Sequence, residues 1–288
     1  MGSEVLLDRF IFDDPSYASL AQVNRERYLA GDPFPHIYFD NFLPDDVAQA
    51  VLEEFPQKKT ENWIQLDRRA EIKMMCSDEK LMGPVTRQLI YQFNSLPFLK
   101  FISTLTGIPN LMPDPLLAGG GLHMIRRGGL LKLHADFNRH NESGLDRRVN
   151  ILFYLNPDWK EEYGGMLELW DKDCKHCGDK ILPIFNRLAI FSTTSHSFHG
   201  HPDPLTCPDD MVRKSLAMYY YSNGRPEEEM HTDHTTIFKS RPGEVTGGIP
   251  LHLVQDLMPP MLWRQIRKFR EKRLAKLDGK IGTPPELG

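Results

Sequence analysis

The feature that most restricts the fold is a series of short apolar runs between about residues 116 and 225. Aromatic and β-branched residues dominate these runs, and Gly, Pro, Asn and Asp separate them, as turns require. The runs are GLHMIRR, LLKLHADF, RVNILFYLN, YGGMLELWD, RLAIFST and RKSLAMYYYS. Short runs spaced in this way are typical of an all-β sandwich or barrel. We therefore predict a β core made of two sheets.

Helical patterns precede this core. Pro44 can open a helix, and Val47, Val51 and Phe55 then recur every four residues, which indicates one buried helix face. Residues 83–109 predict two more short helices, divided at Pro97. The fold class we predict is mainly β with flanking helices: a double-stranded β-helix (jelly-roll) core, 116–225, with a helical layer, 44–109, packed on one sheet. Residues 1–34 form a lead-in.

Composition argues against several classes of protein. The 288 residues are 40% hydrophobic and 26% charged, with a net charge of −4, which gives no general case for nucleic-acid binding. There is no run of 18 apolar residues to span a membrane, and the start MGSEVLLDRFIFDD lacks the basic and apolar parts of a signal peptide. Four cysteines in a chain of this length do not form a disulfide framework. We expect a cytoplasmic protein.

A histidine and a carboxylate near the middle of the chain suggest a metal site. His134 and Asp136 lie two residues apart, so their side chains point the same way on a strand. Downstream, the stretch SHSFHGH offers His196, His199 and His201. Two neutral imidazoles and one carboxylate make up the facial triad of non-haem Fe(II) oxygenases, which leaves positions open for substrate and O₂. Spacing alone does not choose among the three downstream histidines.

The strand VRKSLAMYYYS adds a possible anion-binding group. Arg213, Ser215, Ala217 and Tyr219 share one face of this strand. An arginine buried without a partner is costly, whereas its fork suits a carboxylate in two-point contact. The commoner alternative is an arginine exposed at a sheet edge.

Taken together, His-x-Asp, a second His-Gly and Arg-x-Ser on a strand resemble the 2-oxoglutarate and Fe(II)-dependent dioxygenases, in particular the prolyl 4-hydroxylase-like branch. The resemblance covers about residues 116–225, and its Tyr-Leu-Asn and Gly-Gly runs occur in YLNPDW and YGGMLELWD. It implies an oxygenase domain over 35–250. It also implies catalytic metal ligands, for which we assign His134, Asp136 and His199, with His201 the main rival to His199.

The same resemblance implies cofactors and a co-substrate site. Fe(II), 2-oxoglutarate and O₂ would be needed, with ascorbate a further candidate. Arg213 would bind the distal carboxylate of 2-oxoglutarate, and Tyr154 and Ser215 match positions that assist it in relatives. The implied activity is hydroxylation of an unactivated C–H bond, in a prolyl or other residue of a protein or peptide. The alternatives are hydroxylation of a small molecule and a non-catalytic cupin-like binding module.

Residues next to the assigned ligands are candidates for substrate contact. Asn138 and Arg139 follow the triad carboxylate directly and are the better candidates. The arginines at 126–127 and 147–148 flank the expected site, and we interpret them as solvated loop charges.

Three further features are expected to be structural. CKHC, Cys174–Cys177, has no second ligand pair for zinc and is interpreted as a loop between strands. His231 and His234 are assigned to a polar loop. A final basic helix beginning near Trp263, within residues 251–288, has a rough apolar stripe; its basic face could dock an acidic partner.

Overall fold

The structure is a computed structural model that describes residues 7–56 and 63–244. Four α-helices lie within these ranges: α1 (Pro15–Leu29), α2 (Asp45–Glu54), α3 (Pro84–Phe93) and α4 (Leu96–Thr106). The predicted basic helix in 251–288 falls outside the described residues.

The helix ends follow from local chemistry. Asp14 accepts a hydrogen bond from the Ser16 backbone N–H at the start of α1, which satisfies a donor that the helix itself leaves free. Pro97 lies in the first turn of α4, where a missing N–H costs nothing, so the break between α3 and α4 falls just before it. Gly107 ends α4 in the left-handed conformation, at φ 74°.

Thirteen strands lie within the same described residues. In chain order they are β1 (His36–Phe39), β2 (Ile64–Arg68), β3 (Glu71–Cys76), β4 (Met112–Pro113), β5 (Gly121–Arg126), β6 (Leu130–Ala135), β7 (Asp146–Tyr154), β8 (Leu167–Trp170), β9 (Cys177–Ile181), β10 (Arg187–Ser192), β11 (Phe198–His201), β12 (Val212–Ser222) and β13 (Ile237–Phe238).

Antiparallel pairing joins the strands into one sheet that closes almost into a barrel. The order is β1-β10-β7-β12-β5-β3-β6-β11-β8-β9, with β2, β4 and β13 on side branches. Strands distant in sequence are therefore neighbours, so residues far apart in the chain meet inside the barrel. The predicted jelly-roll core with flanking helices is confirmed.

Alternation along the strands separates the core from the barrel interior. On β7, Val149, Ile151 and Phe153 are fully buried in the same apolar cluster as the helices. Residues of the opposite parity point into the barrel. The helices thus cover one face of the sheet, and the other face is free to carry polar groups.

One hairpin was missed in the range predicted to be only a helical layer. β2 pairs with β3, and β3 in turn pairs with both β5 and β6. In IQLDR, Ile64 and Leu66 alternate with polar residues, but the strand is largely exposed, so its strand state depends on pairing and not on a buried face. Through β3, the hairpin brings Lys73 to the barrel interior.

Phe98 is the residue whose loss should most weaken this helical layer. Its ring is fully buried and lies 4.6 Å from that of Phe12 and 4.7 Å from that of Phe93, measured between centroids. We expect Phe98→Ala to lower the free energy of unfolding by about 3–5 kcal/mol, since a cavity would remain. Leu96→Ala, at a 64% exposed position of the same helix, is the control. Urea denaturation of both variants measures the difference.

None of the helices within residues 7–56 and 63–244 has both the length and the apolar character needed to cross a bilayer.

Candidate active site

Three predicted ligands meet at one end of the barrel. His134 lies on β6 directly opposite His199 on β11, and Asp136 follows the end of β6. The Nε2 atom of His134 is 3.6 Å from Oδ1 of Asp136, and Nε2 of His199 is 3.5 Å from Oδ2. Within the described ranges, this is the one group of three or more His, Cys, Asp or Glu side chains close enough to hold a metal ion together.

Backbone carbonyls orient both imidazoles. Nδ1 of His134 is 2.9 Å from the carbonyl oxygen of Lys132, and Nδ1 of His199 is 2.9 Å from that of Ser197. A carbonyl can only accept, so Nδ1 carries the proton and the lone pair of each ring is on Nε2. Burial lowers the pKa of His134 to about 3, with the neighbouring His199 adding to the effect. Burial also lowers the pKa of His199, so both rings are neutral near pH 7.

Asp136 is held in its ionised form. Burial alone would raise the pKa of its carboxyl group, but the Arg147 guanidinium, the two imidazoles and the Asn150 amide together hold that pKa well below its usual value. Arg147 forms an ion pair of 3.0 Å with Oδ2, and Asn150 donates a 2.8 Å hydrogen bond to the same oxygen. Since both partners bind Oδ2, Oδ1 is the freer oxygen for a metal.

The other two histidines of SHSFHGH lie elsewhere. His196 is exposed in the turn before β11, and its ring centroid is 4.8 Å from that of His231. His201 is buried on β11 and faces the same cavity as His199, but it does not belong to the three-residue cluster. The geometry therefore places His199 beside His134 and Asp136.

Two of the predicted co-substrate residues, Arg213 and Ser215, line the same cavity, and the third, Tyr154, contacts Arg213. Arg213 on β12 is 4% exposed; its Nε donates to the Gly165 carbonyl at 2.8 Å, and its Nη2 donates to the Tyr154 hydroxyl at 3.3 Å. Ser215, opposite Tyr154 in the sheet, is 2% exposed. Among the described residues, no carboxylate lies within ion-pair distance of Arg213. A buried cation without an anion needs a ligand to offset its desolvation.

The Gly-Gly run has a specific role in this arrangement. Gly165 has a φ of 73°, and a Cβ there would come within 2.6 Å of a Leu205 side-chain atom and 3.0 Å of Arg213 Cδ. Glycine is therefore required for the carbonyl of residue 165 to accept the Arg213 hydrogen bond.

Asn138 and Arg139 contact a later segment of the chain. The Asn138 amide donates to the Thr232 carbonyl at 3.1 Å and accepts from the His234 backbone N–H at 2.9 Å. Arg139 is exposed and pairs with Asp233 at 3.3 Å. Both side chains therefore bind residues 232–234 beside the site. Their role in substrate contact stays a prediction.

The interpretation of the flanking arginines as solvated is wrong for one of the two pairs. Arg126 and Arg127 are exposed, but Arg147 and Arg148 are 1% and 7% exposed. The cause is an extra residue in β7: Tyr220 pairs with Val149, whereas the next residue of β12 pairs with Arg147. This bulge reverses the alternation and turns Arg147 into the barrel.

Arg147 is the site residue that sequence reasoning missed most clearly. Its guanidinium carbon is 3.4 Å from the centroid of the Tyr219 ring and 4.5 Å from that of Phe137, and its Nε donates to Asn150 at 2.9 Å. These contacts explain how a cation is accommodated behind the carboxylate of Asp136. Asn150 could have been noticed as a polar residue within an apolar strand, whereas Arg147 carried no such signal.

We expect Arg147→Met to destabilise the metal-free protein by about 3–5 kcal/mol, because Asp136 would be left buried without its cation. Arg139→Met, which removes an exposed arginine with one surface ion pair, should change stability by less than about 0.5 kcal/mol. Urea denaturation without metal gives both values. Equal stability of the two variants would show that Asp136 does not depend on Arg147.

The remaining histidines and cysteines agree with their structural interpretation. Cys174 lies in the loop 171–176 that joins β8 to β9, and Cys177 is the first residue of β9. The Asp171 carboxylate accepts hydrogen bonds from three backbone N–H groups of that loop. His234 lies in a loop, where its ring is 2.7 Å from the Ser195 hydroxyl.

The donor set fits Fe(II). Two neutral imidazoles and one carboxylate suit a borderline divalent ion and leave other positions open. At metal–ligand distances of about 2.1 Å, adjacent ligands of an octahedral ion lie about 3 Å apart. Nε2 of His134 lies 3.6 Å from Oδ1 of Asp136, and the ligand atoms of the three residues all lie within 4.8 Å of one another. The side chains would therefore move closer together around a bound ion.

Comparison with known proteins agrees with this geometry. Residues 120–221 match the 2OG-Fe(II) oxygenase superfamily. Over 87 residues the chain is 30% identical to the Prolyl 3-hydroxylase OGFOD1 of Mus musculus, a match that covers 28% of this chain and 15% of that protein.

Solved structures share the fold. A Trichoplax adhaerens prolyl hydroxylase, in complex with a hypoxia inducible factor peptide fragment, has a TM-score of 0.54 at 20% identity, covering 73% of this chain and 92% of its own. A Pseudomonas putida prolyl-4-hydroxylase has a TM-score of 0.51 at 16% identity, covering 71% and 100%. Residues 120–221 therefore resemble the 2OG-Fe(II) oxygenase superfamily, and the chain shares its fold with these two prolyl hydroxylases.

Proposed function

We propose that this protein is a 2-oxoglutarate-dependent dioxygenase that hydroxylates an unactivated C–H bond. The substrate C–H, 2-oxoglutarate and O₂ would be converted to C–OH, succinate and CO₂. The observation that carries the proposal is the buried Arg213, which has no carboxylate partner among the described residues and shares a cavity with His134, Asp136 and His199. A cationic site of this kind beside a metal-ligand triad suits a dicarboxylate whose other end chelates the metal.

Each residue has a role that its contacts support. His134, Asp136 and His199 would hold Fe(II), which when bound supplies the redox chemistry that joins O₂ activation to decarboxylation. Arg213 would bind the distal carboxylate of 2-oxoglutarate, since its fork is already oriented by Gly165 and Tyr154. The Tyr154 hydroxyl and Ser215 would add neutral hydrogen bonds. Burial raises the pKa of Tyr154, so its hydroxyl keeps the proton that it would donate.

The size of the cavity helps to exclude water. The space lined by the triad, Arg213 and their neighbours is narrow, with a volume of about 70 Å³. A bound co-substrate would therefore displace most of the solvent near the metal. Fewer waters strengthen each charge interaction in the site.

A prolyl or other residue in a protein or peptide is the substrate class that we favour. The Trichoplax adhaerens enzyme with the same fold binds a peptide fragment, and an OGFOD1 segment is 30% identical to part of this chain. A small-molecule substrate is the second candidate. We propose a cytoplasmic location, which the four free thiols support; ascorbate would serve to keep the iron reduced.

The test begins without oxygen. Fe(II) and then 2-oxoglutarate are added to metal-free protein, and the weak visible charge-transfer band of a chelated 2-oxo acid is recorded. O₂ is then admitted with Pro-containing peptides or small metabolites, and succinate and added oxygen are measured by mass spectrometry. The band followed by succinate supports the dioxygenase. Folded protein that shows no band would favour the cupin-like binding module.

A further inference from the structure

His201 is a buried imidazole with no hydrogen bond. Its side chain is 4% exposed, and within the described part of the chain neither Nδ1 nor Nε2 has a hydrogen-bond partner. The other buried histidines of the cavity differ: His134 and His199 each contact a backbone carbonyl through Nδ1, and His123 contacts the Gly119 carbonyl. Burying an unsatisfied polar group costs free energy, so such groups in proteins call for an explanation.

The position of His201 is set by the backbone around it. A Cβ on Gly200 would come within 2.7 Å of the Leu131 carbonyl oxygen and 2.9 Å of that of Lys132, so β11 lies unusually close to β6. His201 then pairs with Leu131, and His199 pairs with His134. This close approach places the unpartnered ring on the cavity side of the barrel wall, on the same face as the metal-ligand histidine.

The surroundings of His201 indicate which part of a ligand it would meet. It lines the same cavity as Arg213, Lys73 and His134. Lys73 already has an acidic partner, Glu71, at 3.0 Å. Arg213 has none among the described residues, and an anion bound to it would lie beside His201.

We propose that His201 donates a hydrogen bond to the distal carboxylate of 2-oxoglutarate, as a fourth binding residue beside Arg213, Tyr154 and Ser215. The inference rests on the proposed function. A neutral imidazole has one N–H donor, and a carboxylate oxygen next to a guanidinium is the acceptor that the cavity would offer it. The free energy lost by leaving the ring unsatisfied would then be recovered when the co-substrate binds.

The test compares binding of two 2-oxo acids to Mn(II)-loaded wild-type protein and His201→Leu, by calorimetry and without turnover. For 2-oxoglutarate we expect the dissociation constant to rise about 10- to 100-fold in His201→Leu, as for a lost hydrogen bond to a charged group. For 2-oxobutyrate, which lacks the distal carboxylate, it should change less than about threefold. Unchanged binding of 2-oxoglutarate, or equal weakening of both acids, would overturn the inference.

Stability provides a second measurement. Because His201 has no partner in the metal-free protein, His201→Leu should unfold at a temperature no lower than wild type. A clearly lower melting temperature would show that the ring has a structural role and would contradict the inference. If wild-type protein itself binds no 2-oxoglutarate, the proposed function fails together with the inference. Failure limited to the variant comparison removes His201 alone.

Discussion

Replacement of His199 by alanine is expected to lower succinate formation at least about 1000-fold. Removing one ligand of the triad forfeits the several kcal/mol that a correctly held metal contributes, and each 1.36 kcal/mol is a factor of ten in rate. The variant should stay folded, because within residues 7–56 and 63–244 the His199 ring has one hydrogen bond, from Nδ1 to the Ser197 carbonyl. The loss would also be seen without turnover, as disappearance of the 2-oxoglutarate charge-transfer band.

His196→Ala is the matched control, since this histidine belongs to the same stretch but is exposed and lies away from the cluster. It should retain activity within about twofold. The reverse pattern, with His196→Ala inactive and His199→Ala active, would contradict the assignment. Asp136→Ala should be as inactive as His199→Ala, but it would also leave Arg147 without its carboxylate. Asp136→Asn is therefore the safer variant for separating lost metal binding from lost stability.

Arg213→Met is expected to weaken 2-oxoglutarate binding by two to three orders of magnitude. Truncating one partner of a buried, hydrogen-bonded charge pair costs about 2–5 kcal/mol, and methionine keeps much of the side chain's length without its charge. Metal binding should be unaffected, because Arg213 is not part of the triad cluster. Calorimetric titration of the Mn(II)-loaded variant with 2-oxoglutarate gives the affinity, and titration with Mn(II) alone checks the metal site.

The control for this variant is Arg127→Met. Arg127 is exposed and directly follows β5, the strand that pairs with the Arg213 strand β12. Its affinity for 2-oxoglutarate should equal that of wild type. Arg213→Lys should fall between the two, since a lysine keeps the charge but loses the fork. An Arg213→Met protein that binds 2-oxoglutarate within threefold of wild type would show that another cation holds the co-substrate.

The sequence was most informative where local pattern and chemistry agree. The aromatic and β-branched runs predicted the β core, and the apolar faces near Val47 and Val51 predicted a helix that the structure contains. The hairpin β2–β3 was not predicted, because the alternation of apolar and polar residues in IQLD and EIKM is short and β2 is largely exposed. Its strands are stabilised by pairing with partners distant in sequence, which a local pattern does not record.

In the candidate site, too, some features follow from local sequence and others from the pairing of distant strands. The spacing of His134 and Asp136 was enough to place both side chains on one side of a strand. The choice of His199 among three nearby histidines instead depends on the pairing of β11 with β6. Its role as a ligand, like the roles of Arg213, Tyr154 and Ser215, stays a prediction that the variants above examine.

Sequence alone determined which side chains are available to the site. These are the metal-ligand candidates, in their order along the chain, and an arginine that suits a carboxylate. Tertiary structure decided which groups complete the site. A single extra residue in β7 turns Arg147 inward behind Asp136, and the approach of β11 to β6 buries His201 without a partner. The physical reason is that strand register and bulges depend on hydrogen bonds between segments far apart in the chain, whereas sequence patterns report only on neighbouring residues.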